Sequence, residues 1–180
     1  IAKETGLSEL AAGKLVGQMS LLEGSSTKQS KKTLETVAAL ARGAKVPIAK
    51  VMNDVAENME LTSKFAKTST KELGAMAVNA AKAGTSLSEL SSMGDALMDI
   101  DSARAKAMEL SVLTGRQIRV DKAQQLVYEG KIVEAQQEML KQVGGVAGWS
   151  QMDYFAKRDA AALVGSTVAD LEKQLNMSEG

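Results

Sequence analysis

The hexapeptide TGLSEL at residues 5–10 returns as TSLSEL at residues 85–90 and, in a weaker form, as STVADL at residues 166–171. Each copy has a residue able to cap a helix three positions before a carboxylate: Gly6 and Glu9, Ser86 and Glu89, Thr167 and Asp170. This spacing is typical of a helix start, because the cap accepts a backbone N–H and the carboxylate favours the positive helix end. The recurrence, at an interval of about 80 residues, predicts a chain assembled from short helical units.

Composition points to an all-α fold. The chain has 180 residues, of which 44% are hydrophobic and only 3% aromatic, with ten methionines and a single proline. Alanine, leucine and methionine are good helix formers, whereas the aromatic and β-branched residues that favour strands are scarce. We therefore expect an all-α domain of short capped helices and helical hairpins.

Charge and reactive side chains favour no particular ligand. The 22 basic residues balance the 22 acidic ones, so no net field favours nucleic acid or an anionic membrane. The chain has no cysteine and no histidine, hence neither a disulfide framework nor the usual proton shuttle. The apolar run at residues 160–164 is far shorter than the roughly 20 residues that span a bilayer. Because the chain begins at Ile1, we expect it to be a piece of a longer polypeptide.

The hydrophobic periodicity and the positions of helix-ending residues divide the chain into four parts. Residues 1–84 are expected to form an N-terminal helical subdomain, and residues 85–143 a long helix, broken near residues 100–101, followed by a hairpin. Residues 144–148, which contain three glycines, are expected to be a flexible joint, and residues 149–180 a C-terminal helical pair. The helices are predicted at residues 7–22, 26–42, 47–58, 61–67, 69–84, 86–114, 120–141 (a hairpin turning at 129–130), 150–163 and 167–176.

Local patterns add details to these helices. Ser26 with Gln29 and Ser69 with Glu72 have the spacing of capping boxes. Gly43, Gly84 and Gly115 are expected to end helices, and Pro47 to lie in a first turn. Trp149 and Tyr154 are expected to form a hydrophobic staple around a capping box of Ser150 and Asp153. The expected apolar stripes include Leu7, Leu10, Leu15, Met19, Leu22, Leu40, Met76, Met98, Ala105, Met108 and Leu113.

Four sets of residues could bind a ligand, and each has a plainer explanation that we favour. Asp95, Asp99 and Asp101 could hold Mg²⁺, but a solvated helix break is the more economical interpretation. Residues 115–119, with Arg116 and Arg119, could bind an anion, but the arginines are expected to pair with nearby carboxylates. Lys28, Lys31 and Lys32 lack the aromatic residues that stack on bases, so a solvated face is favoured.

The methionines are the fourth set. They could line an adaptable groove, but core filling is their commoner use; they are Met19, Met52, Met59, Met76, Met93, Met98, Met108, Met139, Met152 and Met177. We therefore predict no catalytic, cofactor-binding or metal-binding residue.

Several stretches resemble tail tape measure proteins of tailed bacteriophages. The run MELSVLTGRQI at residues 108–118 is similar to a motif of that family, and so are the hairpin segments 123–130 and 135–143. The closing run, residues 152–171, which ends in GSTVADL, is also similar. Residues 34–42 and 46–58 are compatible with the family but less distinctive.

The resemblance implies a structural protein of the virion tail and no enzyme. Such proteins are long helical chains that set tail length inside the tube, and they associate with tail-tip or baseplate-hub proteins, the tail tube protein and sister copies. The implied location is the tail interior or baseplate, and the host cytoplasm during assembly. A ruler segment would show unbroken heptads, whereas this chain has 15 glycines. We therefore expect a folded docking module.

Two other classes stay open. A helical-repeat adaptor would bind a partner through an apolar groove lined by the methionines. An all-α lytic enzyme would need a buried carboxylate or lysine in a pocket.

Overall fold

The computed structural model describes residues 6–61 and 69–178, and this part of the chain forms eleven α-helices and no strand. The expected all-α class is therefore confirmed. The chain divides into two compact units, residues 1–82 and residues 83–180. The four-part division predicted from the sequence stays a prediction.

The described residues of unit 1 form four helices: α1 (Glu9–Glu23), α2 (Thr27–Gly43), α3 (Ile48–Glu57) and α4 (Thr70–Lys82). Helix α2 packs against the other three, and α3 also packs against α4. Aliphatic and methionine side chains fill the space between them, among them Leu15, Met19, Leu34, Val37, Met52, Val55 and Leu73. The burial of these apolar surfaces is the main source of stability for such short helices.

Polar groups fix the ends of the unit 1 helices. The Ser26–Gln29 capping box is confirmed. So is that of Ser69 and Glu72, in which the Ser69 N–H donates to the Glu72 carboxylate at 2.8 Å. The start of α4 receives further support from α1, because the Glu23 carboxylate accepts bonds from the Thr70 N–H and from the Thr70 hydroxyl, the latter at 2.7 Å. Thr70 is fully buried, so this contact ties two helix ends together inside the unit.

Several details of the prediction for unit 1 are wrong. Helix α1 is capped by Ser8, whose side chain accepts the Ala11 N–H, and not by Gly6 two residues earlier. Consequently the first copy of the hexapeptide does not share the cap position of the other two, and the 80-residue recurrence is not confirmed. The leucines Leu10, Leu22 and Leu40, expected in apolar stripes, are exposed.

Two boundaries in unit 1 also differ. Helix α2 includes Gly43, so the C-cap is Ala44, and the residue with a left-handed backbone is Lys45. Pro47 is the N-cap of α3 rather than part of its first turn. The helix expected at residues 61–67 lies almost wholly outside the described residues.

Unit 2 contains seven helices: α5 (Leu87–Met98), α6 (Ile100–Thr114), α7 (Asp121–Tyr128), α8 (Ile132–Val143), α9 (Gly145–Ser150), α10 (Tyr154–Leu163) and α11 (Val168–Ser178). Helix α5 packs against α6, α7, α8 and α10. The short helix α9 packs against α8 and α11, and α10 packs against α6 and α11. The core of the unit is thus organised around α5, whose residues Leu87, Leu90, Met93 and Leu97 are all buried.

The helix boundaries of unit 2 largely agree with the sequence pattern. The long helix expected from residue 86 breaks at Asp99, which ends α5 and caps α6. Gly115 ends α6 with a left-handed backbone, as expected. The α7–α8 hairpin is also confirmed, with a turn around Glu129 and Gly130.

The segment after the hairpin was predicted wrongly. Of the residues predicted as a flexible joint, 145–148 begin helix α9 and Gly144 is its N-cap. Ser150 ends that helix and donates its hydroxyl to the Ala147 carbonyl, so it caps nothing. Asp153 is itself the N-cap of α10 and accepts the Ala156 N–H at 2.8 Å. The predicted Ser150–Asp153 capping box, and the staple of Trp149 on Tyr154 built around it, are therefore wrong.

Gly74 allows α2 and α4 to approach closely, which generates a stability prediction. A Cβ atom on Gly74 would overlap the Val37 side chain, whereas a Cβ on Gly17, in α1, would meet nothing within 4 Å. Alanine is intrinsically about 1 kcal/mol better than glycine in a helix, but overpacking a core costs about 1–3 kcal/mol. We expect Gly74→Ala to destabilise the protein and the matched control Gly17→Ala to stabilise it, as measured by urea unfolding. Equal effects of the two substitutions would contradict the close packing of α2 and α4.

Candidate functional site

The clearest polar arrangement of unit 2 is built on the TSLSEL segment. Ser86 and Glu89 form a capping box at the start of α5, in which the Ser86 N–H donates to the Glu89 carboxylate at 3.0 Å. The same carboxylate oxygen accepts the Thr85 hydroxyl at 2.5 Å. A carboxylate at a helix N-terminus is also favoured by the helix dipole. The capping box thus places the side chains of Thr85 and Glu89 at the edge of the core.

Two glutamines extend this arrangement across the unit. Gln136 of α8 donates its amide NH₂ to the Gln174 side-chain oxygen of α11 at 2.9 Å. Gln174 in turn donates to Thr85 and to Glu89, both at 3.4 Å. Gln136, Gln174 and Thr85 are all buried. We call these four residues (Thr85, Glu89, Gln136 and Gln174) the polar junction; it connects three helices far apart in sequence.

A small cavity of about 10 Å³ lies at the polar junction and is also lined by Met93, Met139 and Leu171. This volume is roughly that of one water-sized probe, so the cavity cannot receive a peptide, a nucleotide or a partner helix. The side-chain oxygen of Gln136 is buried there without a hydrogen-bond partner. The junction is therefore a structural contact between helices rather than a pocket for a substrate.

As on α1, where Leu10, Leu21 and Leu22 are exposed, large apolar side chains are exposed on helix α6. Only Ala103, Ala107 and Leu110 of this helix are buried. On the other side, Met108 is 71% exposed, Val112 83% and Leu113 48%. Exposed apolar residues that are contiguous along one element often indicate a contact surface. We call the exposed residues Ala105, Met108, Val112 and Leu113 the α6 face.

In the loop after α6, only one of the two arginines has the carboxylate partner that the sequence predicted. The Arg119 guanidinium lies 3.7 Å from the Asp121 carboxylate, and the Arg119 N–H donates to Gln142 at 3.0 Å. Arg116 approaches the C-terminal end of α8, where its guanidinium donates to the Val143 carbonyl at 3.5 Å. A cation is favourable at a helix C-terminus. One arginine thus pairs with a carboxylate and the other with a helix end.

The aspartate cluster is used for helix capping. Asp99 accepts the Ser102 N–H at 3.4 Å and so begins α6. Across the described ranges, no group of three or more His, Cys, Asp or Glu side chains is placed to hold a metal ion.

The lysines and methionines divide between surface and core. Lys28, Lys31 and Lys32 are all exposed on α2. Half of the methionines are buried, namely Met19, Met52, Met59, Met93 and Met139, whereas Met98, Met108 and Met177 are exposed. The Trp149 ring is buried, and the Lys157 ammonium lies 5.2 Å from its centroid. Among the described residues, then, half of the methionines fill the cores and the others lie partly or largely at the surface.

Two ion pairs on the α7–α8 hairpin shift the pKa values of their members. The hydrogen bond from Lys122, at 2.8 Å, and a second one from Gln142 lower the pKa of Glu138, although burial opposes the shift. The hydrogen bond between Glu129 and Lys131 lowers the pKa of the glutamate and raises that of the lysine. Both pairs brace the hairpin and neither lies in a cleft.

Sequence reasoning missed the two arrangements that stand out. The polar junction depends on contacts between residues separated by 85 or more positions, which no local pattern reveals. The sequence pattern predicts Ala105, Met108 and Leu113 in an apolar stripe, but all three are exposed. The signal that could have corrected this is the second stripe, Ala103, Ala107 and Leu110, whose small residues suit a close helix contact.

In the described part of the chain no helix is both long and apolar enough to cross a membrane. Comparison with known proteins found no matching family model, no similar curated protein and no similar solved structure.

The polar junction gives a second stability prediction. Gln174→Ala removes the acceptor of the Gln136 amide and so leaves that buried NH₂ group unpaired, whereas Thr85 and Glu89 keep their bond to each other. Such groups cost about 1–3 kcal/mol each, so we expect a loss of that order in the free energy of unfolding. Glu172→Ala, an exposed position on the same helix, is the matched control and should stay within about 0.5 kcal/mol. A Gln174→Ala variant as stable as the control would refute the junction.

The Glu138 ion pair gives a pH prediction. Because the folded-state pKa of Glu138 is lowered from 4.5, the pair contributes stability above the unfolded pKa and loses it as pH falls through the folded value. We expect the wild type to lose up to about 1 kcal/mol more than Glu138→Gln between about pH 5 and pH 3, measured by urea unfolding at each pH. Glu134→Gln, on the same helix, keeps the pair and should behave like the wild type. Identical pH curves for Glu138→Gln and the wild type would exclude the pair as a source of stability.

Proposed function

We propose that this chain is a structural domain of a bacteriophage tail tape measure protein and has no enzymatic role. In this proposal it docks the tape measure protein, which sets tail length, onto tail-tip or baseplate-hub proteins. Further contacts would involve the tail tube protein and sister copies. The domain would reside in the tail interior or baseplate of the virion, and in the host cytoplasm during assembly.

One observation carries the proposal. The run at residues 108–118 that resembles the tape measure family begins with Met108, and it includes Val112 and Leu113 of the α6 face. A segment whose resemblance is to an assembly protein therefore coincides with an apolar surface that has no covering element among the described residues. Large exposed apolar surfaces commonly mark protein–protein contacts.

The form of the chain supports a docking module rather than the ruler itself. A ruler segment would be a long uninterrupted helix with a heptad pattern. Here the longest helix has 17 residues, and glycines with left-handed backbones, such as Gly24 and Gly115, stop α1 and α6. Such a chain folds into compact units, which suits a part of the protein that binds neighbours.

The second candidate, a helical-repeat adaptor with a methionine-lined groove, has less support. Half of the methionines are buried in the cores, and the cavity beside Met93 and Met139 has room for about one water-sized probe. The α6 face could serve an adaptor equally well, so that candidate becomes the leading one if the tail experiment below fails.

The tail proposal is tested by electron microscopy of virions after in-frame deletions in the long helical part of the parent gene, outside this segment. We expect tails to shorten by about 1.5 Å per deleted residue, the rise of an α-helix. A deletion of equal size in an unrelated virion gene is the control.

A second strain, with Val112→Asp in this segment and no deletion, separates docking from length measurement. We expect tails that fail to assemble, because a carboxylate on the α6 face cannot be buried in a contact without a partner. Normal tails in this strain would remove the α6 face as an assembly contact, and tails of unchanged length after the deletions would remove the tape-measure assignment.

A further inference from the structure

The exposed side of α6 has the geometry of a coiled-coil seam. Asp101, Ala105, Met108 and Val112 follow one another at intervals of four, three and four residues, and all are exposed. This alternation places them on one narrow stripe of the helix, which is the pattern that two helices use to pack along each other. Ala105 is small enough to let a second helix approach closely.

Charged residues flank this stripe with opposite signs. Arg104 precedes Ala105, and Glu109 follows Met108. Glu109 has no ion-pair or hydrogen-bond partner among the described residues. Arg104 has only a long contact of 3.8 Å with Asp121, and both side chains are mostly exposed. Exposed pairs of this kind contribute about 1 kcal/mol at most, so Arg104 can exchange its partner at little cost.

We propose that the α6 face binds the same face of a second copy of this chain, with the two helices parallel and in register. In a parallel pair, the residue just before a seam position on one helix lies beside the residue five positions later in the sequence of the other helix. Arg104 of each copy then faces Glu109 of the other, so two ion pairs form by symmetry. The zero net charge of the chain adds no general repulsion between copies.

An antiparallel pair satisfies these groups less well. In an antiparallel pair, each side of the seam lies against the same side of the other seam. Arg104 then faces Ser111, and Glu109 faces Ser102, so no residues of opposite charge meet. The parallel arrangement has one unfavourable feature, because it brings the two Asp101 side chains together at one end of the seam. That feature provides a test, since removing the charge should strengthen a parallel pair.

The contact is expected to be weak in the isolated chain. A helix of 15 residues spans about 22 Å, and its contact is smaller than the roughly 800 Å² per partner of a standard stable interface. A dissociation constant of about 0.1–1 mM is therefore expected. In a tail, copies held side by side would have a high effective concentration. The inference names the partner of the α6 face and in that respect rests on the proposed function.

Single cysteines test the arrangement, because the chain has none of its own. At about 0.5 mM protein, near the expected dissociation constant, we expect Val112→Cys to form a disulfide dimer at least about tenfold faster than Gln137→Cys, an exposed control on α8. Equal rates for the two variants would overturn the proposal. Preferential cross-linking in a mixture of Asp101→Cys and Val112→Cys would overturn the parallel orientation, because those positions meet only in an antiparallel pair.

Charge exchange is the second test, by sedimentation equilibrium of the same chain. Arg104→Glu should weaken association several-fold, and the double variant Arg104→Glu with Glu109→Arg should restore it, since the ion pairs re-form with reversed polarity. Asp101→Asn should tighten association. All three positions are exposed, so folding is preserved. Association insensitive to all of these changes would place the contact elsewhere. Both association tests use the isolated chain, so a negative result in them leaves the tail-length experiment unaffected. A negative tail-length result likewise leaves the association tests unaffected.

Discussion

The satisfaction of helix ends is the constraint on which the rest of this structure depends. Every helix leaves four backbone N–H groups and four carbonyls without an intrahelical partner, and eleven short helices multiply that cost. Seven of the eleven described helices begin at a residue whose side chain accepts a backbone N–H: Ser8, Ser26, Ser69, Ser86, Asp99, Asp153 and Thr167. Each such cap contributes about 1 kcal/mol, a large share of the marginal stability of so small a unit.

Two of these helix starts also form hydrogen bonds to distant parts of the chain. In unit 1 the carboxylate of Glu23 reaches the first residue of α4, and in unit 2 that of Glu89 receives Thr85 and Gln174. A carboxylate near a helix N-terminus is already stabilised by the dipole and by backbone donors, so it can lie at the edge of a core without a basic partner. Helix ends thereby become points where distant segments of the chain are joined, which compensates for the scarcity of large aromatic residues in the cores.

The sequence predicts a feature well where the feature is local. Capping boxes, glycine stops and the hairpin turn depend on residues a few positions apart, and so Ser86, Gly115 and the break at Asp99 were located within one residue. Burial is not local. Helix α5 has a single apolar stripe, and that stripe is buried. Helix α6 has two apolar stripes, and the one that is buried when α6 packs against α10 contains Ala103, Ala107 and Leu110. Periodicity alone cannot choose between two apolar stripes, because the choice depends on which element covers them.

Because α6 has two apolar stripes and only one is buried, the other remains exposed on its surface. A helix with three buried residues gains little from packing, yet α6 is well fixed at both ends. Asp99 caps its start, and near its end the Ser111 hydroxyl accepts the Ile118 N–H at 2.9 Å and donates to the Ala107 carbonyl at 2.6 Å. A helix fixed at both ends loses less conformational entropy in any contact than a frayed helix would. Its exposed apolar side chains contribute nothing to the fold of the isolated unit and would be more stable in water as polar residues. The proposed contact with another protein chain would account for their presence on this helix.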